Sequence, residues 1–533
     1  MGAKSAQKSA RPRPPAGASR ARGRGPTLAL ALAVAAAIGA CLVTRGWSRN
    51  GLAREERGRT ETYSPACGAH LARSATPRLQ DLVHLSGLDV IAYDPSAEAL
   101  AEQLLAPVAL DAFFAECLYR ATEPRALHIT RAGAVGHFSQ LLDLDLVERV
   151  VARGVTVRSP EVRPPRNHLD ISLLTRVLMD GEMKTGKYGQ PDVALGVEEV
   201  WAKFGEGFTI LINDVDQRDG RVAALCESLE AELRLPVNAN FYATVEGTQG
   251  FEAHFDQMDV LVLQLEGEKE WTVYDPFLPL PDTERKFAPS AALLASVPSV
   301  QVTLTPGSLL FLPRGFAHEA ATSNGSQHSS HLTLGILSKD ALWLGLVHAA
   351  INVAAGQRAA AAAGSPDRQL SGGLSWAQLL RAASSAVAWS SAERALELRE
   401  ILPLRGNGWV SAPATAERLG EMLRLVASGS GLELSSSAFA WSEAAASSEG
   451  GRGDPSILRP RLSTWSASRL SEAQLRALDA ELRARLAALA ADAPALAAPA
   501  ARGIEVVHAE RVRVRRSARR RYLERHYQPP PGT

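Results

Sequence analysis

Short runs in which apolar and polar residues alternate fill the chain between residues 237 and 338, with turns rich in Gly and Pro between them. The runs are VNANFYATV, FEAHFD with VLVLQLEG, KEWTVYD, SVQVTLTPGSLLFLP, HEAATS and HSSHLTLGIL. A period of two is typical of strands that bury one face. Short strands at these intervals predict a β-sandwich or barrel, of which the jelly roll leaves a mouth that can hold a metal.

The residues before this region, 77–236, have mostly helical spacing and form the predicted N-terminal α/β part of the same domain. Helices are predicted over residues 94–120, 135–154, 197–205 and 221–236, and strands over PRALHIT, VTVRSPEV and FTILIN. The stretch HLDISLLTRVLMDGEMKTGK is predicted to be a helix followed by a loop. The overall class is therefore α+β, with a jelly-roll core and flanking helices.

The residues after the core return to helical spacing. Residues 339–411 carry broad apolar helix faces, which often bury against a partner subunit, and this segment is predicted to mediate a homodimer. Residues 412–533 are predicted to form a C-terminal winged-helix-like module with a Ser/Gly-rich insertion at 427–455. In that module the alternating stretch VHAERVRVRRS is predicted to be the β-wing.

The N-terminus has a different composition. Residues 1–26 are basic and rich in Pro and Gly, which predicts a disordered tail. Residues 27–45 are apolar and of about the length that spans a bilayer. They are interpreted as a signal anchor, as a cleaved secretory or organelle-targeting peptide, or as an Ala-rich helix. Residues 46–76 form a polar linker. Membrane association through 27–45 would place the protein at a membrane or in an organelle.

Charge and cysteine content narrow the function only slightly. The net charge is +1, but Arg residues cluster near the C-terminus, where they are interpreted as a solvated face or as an RNA or ribosome contact. Four Cys without a CxxC pair exclude a zinc ribbon and a disulfide-stapled scaffold, while a single disulfide stays open.

Candidate metal ligands lie at the head of one predicted strand. His254 and Asp256 are two residues apart, so their side chains are expected on one face. Two His and one carboxylate hold iron(II) with three positions open. His318, just after the turn Pro313-Arg314-Gly315, is the best candidate for the second His, and His331 is the alternative. The pattern therefore predicts an iron-dependent oxygenase.

Several motifs around these residues resemble the JmjC-type, cupin-fold 2-oxoglutarate oxygenases over roughly residues 77–340. The resemblance is strongest to the ribosomal oxygenase group, which contains nucleolar and Myc-induced nuclear antigen histidyl hydroxylases and bacterial arginyl-hydroxylase relatives. The matching positions are Asn240, Tyr242, Gly247-Thr248-Gln249-Gly250, His254, Asp256, Leu263-Gln264, Glu266-Gly267, Lys269 and Trp271.

The resemblance implies roles for individual residues. His254, Asp256 and His318 would ligate Fe(2+), and Lys269 would bind the distal carboxylate of 2-oxoglutarate. Asn240 and Thr333 would line the cosubstrate pocket. Tyr242 would border the substrate, although a packing role for Tyr242 and an ordinary strand role for Lys269 stay open.

The same resemblance implies a reaction and partners. With O2, the protein would hydroxylate a histidyl or arginyl side chain of a ribosomal protein. A lysyl demethylase acting on a histone and a catalytically silent cupin are the alternatives. The resemblance also implies a nuclear or nucleolar location, in conflict with the apolar segment 27–45. Ala253, where the family usually has Pro, and Gln257, where an acid is common, leave the substrate open.

Overall fold

A computed structural model gives the architecture of the chain. It describes residues 94, 100–119, 124–131, 137–138, 141–152, 171–179, 182–188, 196–256, 258–276, 280–281, 289–322, 325, 327–338, 341–361, 375–388, 393–405, 408–429 and 471–526. The basic tail, the apolar segment 27–45, the linker 46–76, the predicted strand VTVRSPEV and most of the Ser/Gly-rich insertion lie outside these residues. Among the helices that the structure describes, none has the length and apolar character needed to cross a membrane.

Eleven strands are present in the described residues. They are β1 (Leu127–Ile129), β2 (Ile171–Met179), β3 (Glu182–Tyr188), β4 (Thr209–Ile212), β5 (Val237–Val245), β6 (Asp259–Glu266), β7 (Lys269–Tyr274), β8 (Ser299–Leu304), β9 (Leu309–Leu312), β10 (His318–Thr322) and β11 (His328–Ile336). Eight strands form one sheet in the order β1-β9-β6-β11-β5-β4-β2-β3, and three form a second sheet in the order β10-β7-β8. All pairs are antiparallel.

Helices surround the large sheet. The α-helices are α1 (Leu100–Leu105), α2 (Leu110–Ala112), α3 (Asp145–Ala152), α4 (Val197–Gly205), α5 (Gly220–Leu233), α6 (Ala291–Ala295), α7 (Trp343–Ala361), α8 (Trp376–Ala388), α9 (Pro413–Ser428), α10 (Glu472–Ala491) and α11 (Ala493–His526). A π-helix spans Phe113–Leu118, and 3-10 helices span Val215–Gln217, Glu393–Arg399 and Trp409–Ser411.

Alternation along the strands produces two separate cores. On the outer face of the large sheet, residues such as Phe241, Ala243 and Leu334 pack into the helical core. On the inner face, Val262 and Leu310 meet Val273 of the small sheet and form a second apolar cluster. The two sheets therefore close as a jelly roll, and the part of its interior that this cluster does not fill is available for polar side chains.

The stretch predicted as a helix and loop is instead an antiparallel hairpin. β2 pairs with β3 on one side and with β4 on the other, so the hairpin extends the large sheet. The Asp-Gly dipeptide between the strands is a hairpin signal that the helical interpretation overlooked. The predicted helix over 135–154 is shorter than expected, and SVQVTLTPGSLLFLP forms two strands rather than one.

The predicted β-wing is also wrong. VHAERVRVRRS lies inside α11, and the described residues of the C-terminal module form the helices α9, α10 and α11, with no strand. Arg515, Arg516 and Arg519 share one face of α11 and bind the carboxylates of Asp216 and Glu230. These contacts, distant in sequence, favour the helix over the strand that the local alternation indicates.

The helices after the core pack within the same chain. α7 contacts α8, α9 and α11, and its apolar residues Leu346, Val347 and Ala350 are fully buried there. The apolar face that suggested a partner subunit is therefore covered in part by the C-terminal helices. The homodimer stays a prediction.

A substitution of Gly267, in the turn between β6 and β7, tests this architecture. Its φ is +61°, and a Cβ there would overlap the carbonyl oxygen of His328. We expect Gly267→Ala to lower the free energy of unfolding by about 2–3 kcal/mol because both the backbone and the strand contact are strained. Denaturant unfolding measures this change.

Gly356→Ala is the matched control for that experiment. Gly356 is exposed in the middle of α7, and a Cβ there meets no atom within 4 Å. The substitution is expected to stabilise the protein by up to about 1 kcal/mol because Ala is the better helix former. An equal decrease in the free energy of unfolding of the two variants would contradict the turn conformation described for Gly267.

Candidate metal centre

His254 and His318 are brought together by a short backbone bridge. The N–H of His254 donates to the carbonyl of His318 at 3.0 Å, and the N–H of His318 donates to the carbonyl of His254 at 2.7 Å. The imidazole centroids are 4.7 Å apart. His254 precedes β6 rather than opening it, since β6 begins at Asp259. The predicted neighbourhood of the two histidines is nevertheless correct.

Asp256 completes a three-residue group. One ligand atom each from His254, Asp256 and His318 lies within 4.8 Å of the others, and His318 Nε2 is 3.8 Å from Asp256 Oδ2. His318 is buried and the other two are half-buried. The three side chains are therefore partly shielded from solvent, and the group is accessible on the side of His254 and Asp256.

The rings are oriented by their own backbone. His254 Nδ1 lies 2.8 Å from the carbonyl oxygen of Glu252, and His318 Nδ1 lies 3.0 Å from that of Phe316. A carbonyl oxygen only accepts, so each Nδ1 carries the proton and each neutral ring presents the lone pair of Nε2. This second interaction is how proteins fix the tautomer of a metal-binding His.

The donor set fits iron(II). Two imidazoles and one carboxylate form the facial arrangement found in non-haem iron oxygenases, and structural zinc sites usually add thiolates or a fourth ligand. The described cysteines, Cys117 and Cys226, are buried elsewhere and do not belong to the group.

A buried cation lies in the same jelly-roll interior. The side chain of Lys269 on β7 is 4% exposed, and its Nζ donates to Thr244 Oγ1 on β5 at 2.8 Å. Within the described part of the chain, no carboxylate forms an ion pair with it. Burial lowers the pKa of Lys269 to about 7. An uncompensated ammonium in a dry pocket is costly, and an anionic ligand would offset the cost.

Other buried polar atoms nearby also lack a protein partner. Among the described residues these atoms are Trp271 Nε1 and His331 Nδ1. The Trp271 ring lies 5.7 Å from that of His318 and 5.5 Å from that of His331. Because buried polar groups are normally hydrogen-bonded, these atoms mark a pocket that is built for a polar ligand.

Asn240, Tyr242 and Thr333 lie on the strands that line this pocket. Asn240 Oδ1 accepts the N–H of Asp214 at 3.1 Å, and its side chain also hydrogen-bonds to Tyr242. Burial and the nearby charge of Asp256 raise the pKa of Tyr242. Thr333 on β11 is half-buried and pairs in register with Asn240 on β5. The three predicted pocket residues are therefore neighbours.

His331, the alternative ligand, occupies a different place. Its ring stacks on Tyr242 with centroids 4.7 Å apart and an interplanar angle of 4°. Burial, with the charges of Lys269 and His318, lowers its pKa well below the usual value. Among the described residues, the group that could hold a metal contains His318 and not His331.

Sequence reasoning missed the residues that support the site. Thr244 holds Lys269, and Gln249 of the Gly-Thr-Gln-Gly motif donates to Glu319 at 3.1 Å, which also accepts from Tyr274 at 2.7 Å. This network fastens the loop before His254 to β10. Only Gln249 carried a signal in the sequence, through the motif.

Comparison with known proteins agrees with this geometry. Residues 212–342 match the JmjC domain family. A stretch of 108 residues is 42% identical to ribosomal oxygenase 2 of Bos taurus and covers 20% of this chain and 23% of that protein. A stretch of 234 residues is 30% identical to the bifunctional lysine-specific demethylase and histidyl-hydroxylase NO66 of Drosophila persimilis and covers 44% of this chain and 31% of that protein.

Both matches span less than a third of the relatives' own length. Among solved structures, the ribosomal oxygenase YcfD of Escherichia coli in complex with cobalt and 2-oxoglutarate is 17% identical, with a TM-score of 0.30, over 49% of this chain and 59% of that chain. Residues 212–342 thus match JmjC domains, and this part of the chain is similar in sequence to ribosomal oxygenase 2 and the NO66 proteins.

Proposed function

We propose that this chain is an Fe(II)- and 2-oxoglutarate-dependent dioxygenase that hydroxylates a histidyl or arginyl side chain of a protein. The observation that carries the proposal is the placement of an unpaired, buried Lys269 in the same interior as the group His254, Asp256 and His318. A metal-binding triad alone suits many reactions. A buried cation beside it suits a cosubstrate with a second carboxylate.

The residues of the pocket divide the binding between them. His254, Asp256 and His318 would hold the iron, and Lys269, held by Thr244, would bind the distal carboxylate as a charge-assisted pair. Trp271 Nε1 offers a further donor. Bound iron and 2-oxoglutarate supply the oxidising chemistry, while the protein orients them and excludes water.

The substrate is proposed from the relatives. The names of the similar proteins include ribosomal oxygenase and histidyl-hydroxylase, which favours a ribosomal protein as substrate. The NO66 proteins are also named lysine-specific demethylases, so demethylation of a histone lysine is the second candidate. Both reactions need the same metal and cosubstrate, and the half-buried rim around Tyr242 would choose between them.

Mass spectrometry separates these candidates. Purified protein is incubated with Fe(II), 2-oxoglutarate and either ribosomal proteins or methylated histones, with omission of 2-oxoglutarate as the control. One added oxygen atom on His or Arg supports the hydroxylase, and loss of a methyl group from Lys supports the demethylase. A silent cupin would produce neither change and no succinate.

Further partners stay proposals. A homodimer through 339–411 is testable by light scattering, and RNA or ribosome contact would fall to the exposed part of the Arg-rich tail, since Arg515 and Arg519 are engaged within the chain. Membrane or organelle placement depends on residues 27–45, and a nuclear location depends on the resemblance.

A further inference from the structure

The C-terminal helix α11 binds the first residues of β5 at a place where the sheet has no strand. β4 pairs with β5 only over Phe241–Ala243, so in the described part of the chain no strand pairs with Val237–Ala239 on that side. Glu230 accepts the N–H of Val237 at 3.1 Å, and Asp216 accepts the N–H of Ala239 at 3.1 Å. Side-chain carboxylates thus replace a missing strand.

Arginines of α11 complete this replacement. Arg515 and Arg519 both donate to the carbonyl of Val237, at 2.8 Å and 3.1 Å. Arg519 is fully buried and also binds Asp216 at 3.0 Å and Glu230 at 3.1 Å. A buried ionic cluster this fully hydrogen-bonded specifies one arrangement, because loss of any partner would leave a buried charge unpaired.

One branch of the cluster leads to the pocket. Arg515 Nη2 donates to Asp214 Oδ1 at 3.1 Å, and the N–H of Asp214 donates to Asn240 Oδ1 at 3.1 Å. Asp214 has a φ of +49°, a left-handed conformation that needs support in a residue other than Gly. Its amide points at Asn240 in this conformation.

A second contact holds the same turn. Arg218 donates to the carbonyl of Asn213 at 3.0 Å and to the hydroxyl of Tyr522 on α11 at 2.9 Å. The peptide group between residues 213 and 214 is therefore linked to α11 twice. Arg218 connects its carbonyl to Tyr522, and the Asp214 side chain connects it to Arg515.

We propose that Arg515 and Asp214 are positioning residues for the cosubstrate pocket. The Arg515–Asp214 ion pair fixes the turn after β4, and the turn fixes the side-chain amide of Asn240. Because Oδ1 of Asn240 accepts from the backbone, its Nδ2 is directed to the other side, where Tyr242 lies. The C-terminal helix, outside the JmjC match at 212–342, thereby becomes part of the apparatus that orders the pocket. Only the test by 2-oxoglutarate affinity rests on the proposed function, and the test by amide exchange does not.

The test compares Arg515→Met with Arg516→Met. Arg516 lies on the same helix and binds Glu230 at 2.9 Å and the carbonyl of Glu227 at 2.7 Å, but it has no contact with Asp214. It therefore controls for the loss of one arginine from the cluster. Asp214→Gly is the gentler variant, since it keeps the N–H, tolerates the positive φ and leaves the other contacts of Arg515 in place.

The first readout needs no ligand. Residue-resolved deuterium exchange of the residue-214 amide is expected to accelerate about tenfold in Arg515→Met and Asp214→Gly, because its hydrogen bond to Asn240 is weakened. In Arg516→Met it is expected to stay within about twofold. Equal acceleration in the two arginine variants would overturn the inference.

The second readout is the affinity for 2-oxoglutarate in the presence of Mn(II) without oxygen. Arg515→Met is expected to weaken binding about five- to tenfold, the loss of one polar contact. In an Asn240→Ala background the same substitution is expected to change nothing, and a persisting effect would contradict the inference. If the unmodified protein binds no 2-oxoglutarate, the proposed function fails, and amide exchange still decides whether Arg515 holds the Asp214–Asn240 contact.

Discussion

A His254→Ala variant is expected to lose its bound divalent metal and its production of succinate from 2-oxoglutarate. The variant removes one of the three ligand atoms that lie within 4.8 Å of one another and leaves a carboxylate and one imidazole. Substitutions of residues that only support a ligand cost about 10–100-fold in metal affinity, so loss of a ligand itself is expected to cost more than about a hundredfold. Metal content after dialysis and succinate formation measure the two effects.

His328→Ala is the control for this experiment. His328 is on β11, half-buried, and pairs with Glu266 at 3.0 Å away from the metal-binding group. Its loss is expected to leave metal content and succinate formation unchanged. Full metal retention in His254→Ala, with turnover preserved, would sink the assignment of the ligands.

A Lys269→Met variant is expected to bind 2-oxoglutarate far more weakly and yet to be more stable when no ligand is present. Truncating one partner of a buried charge pair costs about 2–5 kcal/mol of binding free energy. In the ligand-free protein the same ammonium is buried with Thr244 as its partner, so its removal relieves a cost of desolvation. Opposite changes in affinity and stability are characteristic of a residue retained for binding.

The pH dependence gives this prediction a sign. Burial lowers the pKa of Lys269 from its ordinary value of 10.5 to about 7. Between pH 7 and pH 10.5, Lys269 is therefore protonated in the unfolded chain and deprotonated in the folded chain. The free energy of unfolding contributed by Lys269 therefore rises as pH increases from about 7 to 10.5 and is lowest below pH 7. Lys269→Met is expected to lack this rise.

Lys203→Met provides the comparison. Lys203 is half-buried, lies over the Phe208 ring and pairs with the exposed Glu206 at 2.6 Å, and ion pairs at the surface contribute little. We expect the Lys203→Met variant to bind 2-oxoglutarate with the affinity of the unmodified protein. Its free energy of unfolding is expected to depend on pH in the same way. A Lys269→Met variant that binds 2-oxoglutarate normally would remove the main support for the proposed cosubstrate.

Local patterns predicted the jelly-roll strands and predicted that His254, Asp256 and His318 lie close together. Period-two alternation marks β5 and β11 because each buries one face against the helical core. β6 is instead a nearly continuous apolar run that is buried on both faces. The spacing of His254 and Asp256, together with the turn before His318, was enough to bring the three ligands to one place. These features depend on neighbours in sequence or on a single strand pairing.

Features that depend on distant contacts were not predictable. The arginines at 511, 513 and 515 alternate with valines as the residues of a wing strand would. The segment is helical instead, and Arg515 contacts Asp216, about 300 residues earlier in the chain. Thr244 carries no motif that announces its contact with Lys269. The β2–β3 hairpin was missed for a local reason, since its apolar residues also fit a helical spacing.

The most direct test of the active centre is a calorimetric titration of 2-oxoglutarate into the unmodified protein under anaerobic conditions, with and without Mn(II). It needs no protein substrate and no turnover. If His254, Asp256 and His318 hold a metal that shares the cosubstrate with Lys269, binding is expected at one site per chain and only when Mn(II) is present. Binding that is equally strong without the metal, or no binding at all, would contradict the account.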